Sequence, residues 1–430
     1  MFYAKEIETA GRDRLTALQG EKLRSLIATL YGRNRFYTEK LQAAGVKPDD
    51  IRGVEDIARL PFTRKDELVR DQKENPEFGT NLTFPQRDYV RVHQTSGTTG
   101  QPLRWLDTAE SWDWWGTCWA YVFSGAGITA GDRVFVAFSF APFIGFWAAV
   151  EGIRKIGAML IPGGGLSTRQ RVESILQSKA AAVVCTPTYA LRMAEEAREM
   201  GMDLAKSDVR VTIHAGEPGA NIPSTKRRIG EAWGAGCMDH TGATEVGAFG
   251  FEDLDRPGGV FFSESEFICE VLDPNGDGPV GPGVEGELVI TNLGRACMPV
   301  IRYRSGDLVR PSPEPCPTGR TFAWAEGGIL GRVDDMFIVR GVNIYPSAIE
   351  NIVRECKEVS EFRIEVETVR EMAELALSVE CTPGVAADPV IRRLSEEVHS
   401  RLGVRVLVSL AEPGTLPRFE LKARRLQRKN

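Results

Sequence analysis

Arg133-Val-Phe-Val-Ala-Phe-Ser-Phe140 opens the stretch that decides the fold. Short apolar runs follow at 158–161, 181–185, 209–213 and 237–240, Ala181-Ala-Val-Val-Cys185 being typical. Helix-like segments at 146–156, 168–177, 189–200 and 223–233 separate them. Short apolar strands alternating with helices predict a parallel sheet covered by helices, and such sheets bind ligands beyond the carboxyl ends of their strands. Functional residues are therefore expected just after the strands.

Upstream, residues 1–70 place Leu15, Leu18, Leu23, Leu26, Ile27 and Leu30 at helical spacing. The segments Arg33-Asn-Arg-Phe-Tyr37 and Pro61-Phe-Thr-Arg-Lys65 read as connections packed on a larger body. Over 108–121, Trp112, Trp115 and Trp119 share one helix face, a stripe expected in the core. Downstream, strands separated by Gly/Pro turns occupy 267–272, 286–291 and 300–303, an antiparallel, barrel-like part, before the Pro-rich connector at 311–318. A last unit has strands at 336–339, 363–366, 376–379 and 404–408 and helices at 347–355 and 389–401. The expected fold class is α/β: a large domain over 1–331 and a small α+β domain over 332–430, joined at Gly331-Arg-Val-Asp334.

At 430 residues, 42% hydrophobic and 26% charged, the chain has the composition of a soluble globular protein of more than one domain. A net charge of -6 and an isoelectric point near 5.6 argue against nucleic acid as a partner. The amino terminus, Met1-Phe-Tyr-Ala-Lys-Glu-Ile-Glu8, lacks an apolar leader, and no uninterrupted apolar stretch is long enough for a membrane span. A cytoplasmic protein without a membrane partner is expected. Cysteines 118, 185, 237, 269, 297, 316, 356 and 381 form no Cys-x-x-Cys pair and read as reduced thiols.

Five short motifs lie where such a sheet wants sites. Gln94-Thr-Ser-Gly-Thr-Thr-Gly-Gln-Pro-Leu103 is rich in hydroxyls and glycines whose O–H and N–H groups can face one anion. It lacks the Gly-Lys-Ser/Thr ending of a P-loop, and alone would read as a surface loop. His214-Ala-Gly-Glu-Pro218 is a turn whose glycine permits flat approach of a ring, and Thr241-Gly-Ala-Thr-Glu245 sets a hydroxyl beside a carboxylate able to hold Mg²⁺. Arg302-Tyr-Arg-Ser-Gly-Asp307 offers an acid suited to ribose hydroxyls, and Gly331-Arg-Val-Asp-Asp335 sits at the domain joint. Singly, each is an ordinary turn.

In this order and spacing the set resembles the adenylate-forming superfamily of acyl-CoA ligases, adenylation domains and luciferases. Within it, the likeness is strongest to the phenylacetate-CoA ligase family, which the segments 331–346 and Pro417-Arg-Phe-Glu-Leu-Lys-Ala423 also resemble. The resemblance implies that Thr95, Ser96, Gly97, Thr98, Thr99 and Gly100 close over the β- and γ-phosphates of ATP. It places Ala215, Gly216, Glu217 and Pro218 against adenine and Asp239, His240 and Thr241 among the nucleotide contacts. Thr244 is implied to touch the phosphates, Glu245 to hold Mg²⁺, and Asp307, with Arg332 nearby, to bind the ribose. Lys422 would bridge carboxylate and α-phosphate, Asp334 would be the hinge of a mobile small domain, and Gly341 would line a coenzyme A tunnel. Without the resemblance, Lys422 belongs to a solvated basic tail.

The aromatic segment Phe138-Ser-Phe-Ala-Pro-Phe-Ile-Gly-Phe-Trp147 matches the family's acyl site, with Phe138, Phe140, Phe143 and Gly242 as acid contacts and an aromatic acid as guest. Departures exist: 251–262 has neither Cys nor His, which speaks against a structural zinc, and Gln101, Leu103 and Thr241 replace the usual lysine, threonine and tyrosine. The expected activity is AMP-forming ligation of an aromatic carboxylic acid to coenzyme A. Transfer to a carrier protein or an amine, an adenylylated end product, or a non-catalytic nucleotide-binding regulator stays open, as does a homodimer.

Overall fold

The computed structural model describes residues 1–95, 102–138, 144–333, 335, 337–339, 342–369, 372–419 and 425–429. Helices α1 (Lys5–Glu8), α2 (Arg12–Leu30), α3 (Arg35–Ala43) and α4 (Lys65–Glu74) come first. The antiparallel hairpin β1 (Tyr89–Gln94) and β2 (Arg104–Thr108) follows, and α5 (Ala109–Gly125) leads into the main sheet. The expected alternation is then observed as β3 (Arg133–Val136), α6 (Ile144–Ile156), β4 (Met159–Pro162), α7 (Thr168–Gln177), β5 (Ala182–Cys185), α8 (Pro187–Glu199), β6 (Val211–His214), α9 (Pro223–Trp233) and β7 (Gly236–Ala243). Every residue of β5 and β6 is buried, β5 as an unbroken apolar run and β6 with Thr212 and His214 among its buried side chains. Local chemistry sets the helix ends. Ser167 and Gln170 form a capping box on α7, Pro187 occupies the first turn of α8, and Gly234 closes α9 at φ +59°.

Strands β8 (Gly247–Asp253), β9 (Arg256–Phe262), β10 (Phe267–Leu272), β11 (Gly286–Asn292), β12 (Tyr303–Pro311) and β13 (Trp324–Arg332) do not form a separate sheet. They extend the parallel half into one sheet of order β10-β11-β12-β13-β9-β8-β7-β6-β5-β3-β4. The switch lies within β7, which pairs parallel with β6 up to Asp239 and antiparallel with β8 from His240 onward. Antiparallel pairing thus begins at His240, earlier than the sequence pattern indicates, and β13 lies beyond the Pro-rich connector. The tryptophan stripe is core: Trp112, Trp115 and Trp119 are 6%, 2% and 0% exposed.

The carboxyl-terminal part contains the hairpin β14 (Phe337–Val339) and β15 (Val342–Ile344), α10 (Pro346–Glu355), β16 (Val359–Val369), β17 (Met372–Cys381), α11 (Ala387–Leu402), β18 (Val406–Leu410) and β19 (Leu426–Lys429). Its four-stranded sheet, order β18-β17-β16-β19, has its own core of Ile349, Val353, Phe362, Leu377, Leu394 and neighbours. Several polar contacts join it to the large part. Ser224 N donates to Asn351 Oδ1 (3.2 Å), Arg425 to Thr188 Oγ1 (3.3 Å), and Lys357 pairs with Glu231 (3.2 Å). Among the described residues, no helix is long and apolar enough to cross a membrane.

Candidate active site

Two of the predicted motifs lie at the carboxyl ends of parallel strands, 215–218 after β6 and 241–245 at the end of β7, whereas Asp307 and Arg332 lie in antiparallel β12 and β13 and the hydroxyl-rich stretch falls between β1 and β2. The turn 215–218 leaves β6 with Gly216 at φ +93°, a left-handed conformation that favours glycine. Glu217 does not project freely: its Oε1 accepts from Thr188 N (2.8 Å) and so caps the first turn of α8. In β7 the side chains alternate. Asp239 Oδ2 lies 3.1 Å from where a Cβ on Gly328 would stand, and Thr241 lies against Gly250. His240 points to the other face, its ring centroid 4.4 Å from that of Trp119, so the side chain is separated from the nucleotide contacts with which the resemblance groups it.

Burial, reinforced by the Glu252 charge, pushes the Asp239 carboxyl up to about 7. Glu252 is buried yet satisfied, accepting from Asp239 N (2.7 Å), Gly258 N (2.7 Å) and Lys226 Nζ (2.6 Å).

Beyond β7, Glu245 is buried with Oε1 accepting from Tyr303 OH (2.9 Å) and Lys65 Nζ at 3.7 Å. Burial first, then the Glu245 carboxylate, raises the Tyr303 phenol well above its ordinary range and keeps it a donor. Asp307 lies inside β12 rather than beyond its end, opposite Arg332 of β13, whose Nη1 donates to Oδ1 (3.1 Å). Thr95 closes the base of the hydroxyl-rich loop: its N donates to Leu103 O (2.9 Å) and its Oγ1 accepts from Leu103 N (3.0 Å). Phe138 is 2% exposed and belongs to the main core. Ser96, Gly97, Thr98, Thr99, Gly100, Phe140, Phe143, Asp334, Gly341 and Lys422 lie outside the described residues.

Three contributors escaped the sequence reading. Lys65 was visible only as the end of a connection, and Tyr303 only as the second residue of its motif. Arg295 carried no signal, because its partner Asp107 is 188 positions away. Both side chains are fully buried; Arg295 donates to Asp107 at 2.8 and 2.7 Å and to Thr244 O at 2.7 Å. This pair ties β2, which follows the hydroxyl-rich loop, to the Glu245 turn.

Among the described residues no three His, Cys, Asp or Glu side chains converge as a metal site would need, and Glu245 offers a single hard oxygen ligand.

The family to which this mixed α/β sheet belongs is shown by comparison with known proteins. Residues 23–296 match the AMP-binding enzyme family and 341–429 the AMP-binding enzyme C-terminal domain. Phenylacetate-coenzyme A ligase of Thermus thermophilus is 32% identical over 98% of this chain and 97% of its own. That of Aromatoleum evansii is 32% identical over 98% and 96%. A crystal structure of 2-hydroxyisobutyryl-CoA ligase in the postadenylation state, with 31% identity, superposes over 100% of this chain and 92% of its own with a TM-score of 0.94. The same ligase in its thioesterification state, with coenzyme A, covers 99% and 91% at 0.75. The chain belongs to the adenylate-forming superfamily and, within it, to the phenylacetate-CoA ligase family.

Proposed function

We propose that this protein is an AMP-forming ligase that activates an aromatic carboxylic acid, aryl or arylacetic, and transfers it to coenzyme A. The observation that carries the reading is 32% identity to phenylacetate-coenzyme A ligase along nearly the whole of both chains. In the first half-reaction a carboxylate oxygen attacks the α-phosphorus of ATP and pyrophosphate leaves; in the second, the thiolate of coenzyme A attacks the acyl carbon and AMP leaves. Joining two anions requires their repulsion to be neutralised. Mg²⁺, when bound, supplies part of that neutralisation. Glu245, fixed by Tyr303 and by the backbone clamp of Arg295, would hold it. Asp307 and Arg332 would receive the ribose, Asp239 and the 215–218 turn the base, and Lys422 the carboxylate and α-phosphate.

The small domain, taken as 332–430, would swing about Asp334 between the two half-reactions. Its polar contacts with the large part and the higher TM-score to the postadenylation state of the hydroxyisobutyryl relative support that reading. That relative also favours a second reading, a small hydroxylated aliphatic acid as substrate. Pyrophosphate release with ATP, Mg²⁺ and a panel of aromatic and aliphatic acids, with and without coenzyme A, tests both. Release that depends on an aryl acid and turns over only with coenzyme A is expected. Release indifferent to coenzyme A would point to another acceptor, and release only with aliphatic acids would overturn the aromatic assignment.

A further inference from the structure

His240 is a buried imidazole with one nitrogen engaged and the other without a hydrogen-bond partner among the described residues. Its Nδ1 lies 2.8 Å from Gly250 O, and a carbonyl oxygen only accepts, so Nδ1 carries the hydrogen. Burial holds the ring's pKa down at about 4, so it is neutral at physiological pH and Nε2 is a bare acceptor. Among the described residues Nε2 has no hydrogen-bond partner. Gly242, two residues along the same strand face, is exposed, and a Cβ there would stand 3.3 Å from Nε2. The same Cβ would stand 3.0 Å from Gly247 O, so glycine at 242 both fits the strand pair and leaves uncovered an oriented acceptor whose other side is closed by Trp119.

We propose that His240 is a specificity-determining residue of the acyl site, where its Nε2 accepts a hydrogen bond from a hydroxyl on the substrate acid beyond the carboxylate. The inference rests on the ligase reading and on Gly242 bordering the acyl group. A site that offers a fixed buried acceptor favours the guest that fills it, because the analogue without the donor leaves the acceptor unpaired. The test measures kcat and KM for phenylacetate against mandelate and the ortho-, meta- and para-hydroxyphenylacetates, and for isobutyrate against 2-hydroxyisobutyrate. Wild type, His240→Leu and His240→Gln are compared.

At least one hydroxylated acid should be preferred over its parent by about tenfold or more. His240→Leu should collapse that ratio through the KM of the hydroxylated acid, and His240→Gln, which retains an acceptor, should restore part of it. Equal losses on both acids, or an unchanged ratio, would overturn the proposal. Spectra of ¹⁵N-histidine-labelled protein give a readout independent of turnover, with only four histidines to resolve. The hydroxylated acid should shift the His240 Nε2 resonance and the parent acid should not. If no acid releases pyrophosphate, the ligase reading fails; a selective Nε2 shift would still uphold the acceptor, and no shift would overturn it as well.

Discussion

At the scale of single residues, the site is built from groups whose environments oppose their free-solution behaviour. Asp239 has its carboxyl raised to about 7, against an ordinary value of about 3.9. The folded state therefore holds this proton more tightly than the unfolded chain does. The associated stability is full below about pH 4 and is lost as pH rises through about 7. Asp239→Asn should remove that contribution: its melting temperature relative to wild type should climb between pH 4 and pH 7 and level off above. A difference independent of pH would contradict the shift. Motif residues such as Glu245 and Asp307 were singled out in the sequence through their resemblance to a known family, and the structure sets them beside Tyr303 and Arg332. Arg295 was not, since one buried arginine acquires meaning only when folding brings Asp107 and the Thr244 carbonyl to it.

At the scale of elements, the parallel strands were legible and the antiparallel continuation only partly so. β5 is buried on both faces and announces itself as an apolar run, whereas β9 carries Pro257, Gly258 and Gly259, residues that usually mark turns. Those glycines serve close packing. A Cβ on Gly259 would strike the Ala325 carbonyl and the Trp324 ring of β13. Gly259→Ala should therefore force β9 and β13 apart and cost roughly 1–3 kcal/mol, read as a lower denaturant midpoint with unchanged slope. A neutral effect would mean that the strands yield freely. The hydroxyl-rich stretch was singled out by its composition together with the motifs that follow it, and the structure adds that Thr95 and Leu103 are paired at the mouth of the β1–β2 hairpin.

At the scale of the whole molecule, the two parts have separate cores joined by polar contacts, an arrangement compatible with movement of one on the other. The proposed role of Lys422 depends on that arrangement. Lys422→Ala should reduce adenylate formation by about three orders of magnitude or more, as removal of a dominant electrostatic group does, while ATP binding persists. Unchanged pyrophosphate release would remove Lys422 from the chemistry. The central claim, that an acid is joined to coenzyme A at the expense of ATP cleaved to AMP, is tested most directly by product analysis. With the acid that the panel identifies, AMP, pyrophosphate and the acyl-CoA thioester should be quantified together over time. Equal amounts of all three are predicted. ADP and phosphate as products, or AMP formed without thioester while coenzyme A is present, would contradict it.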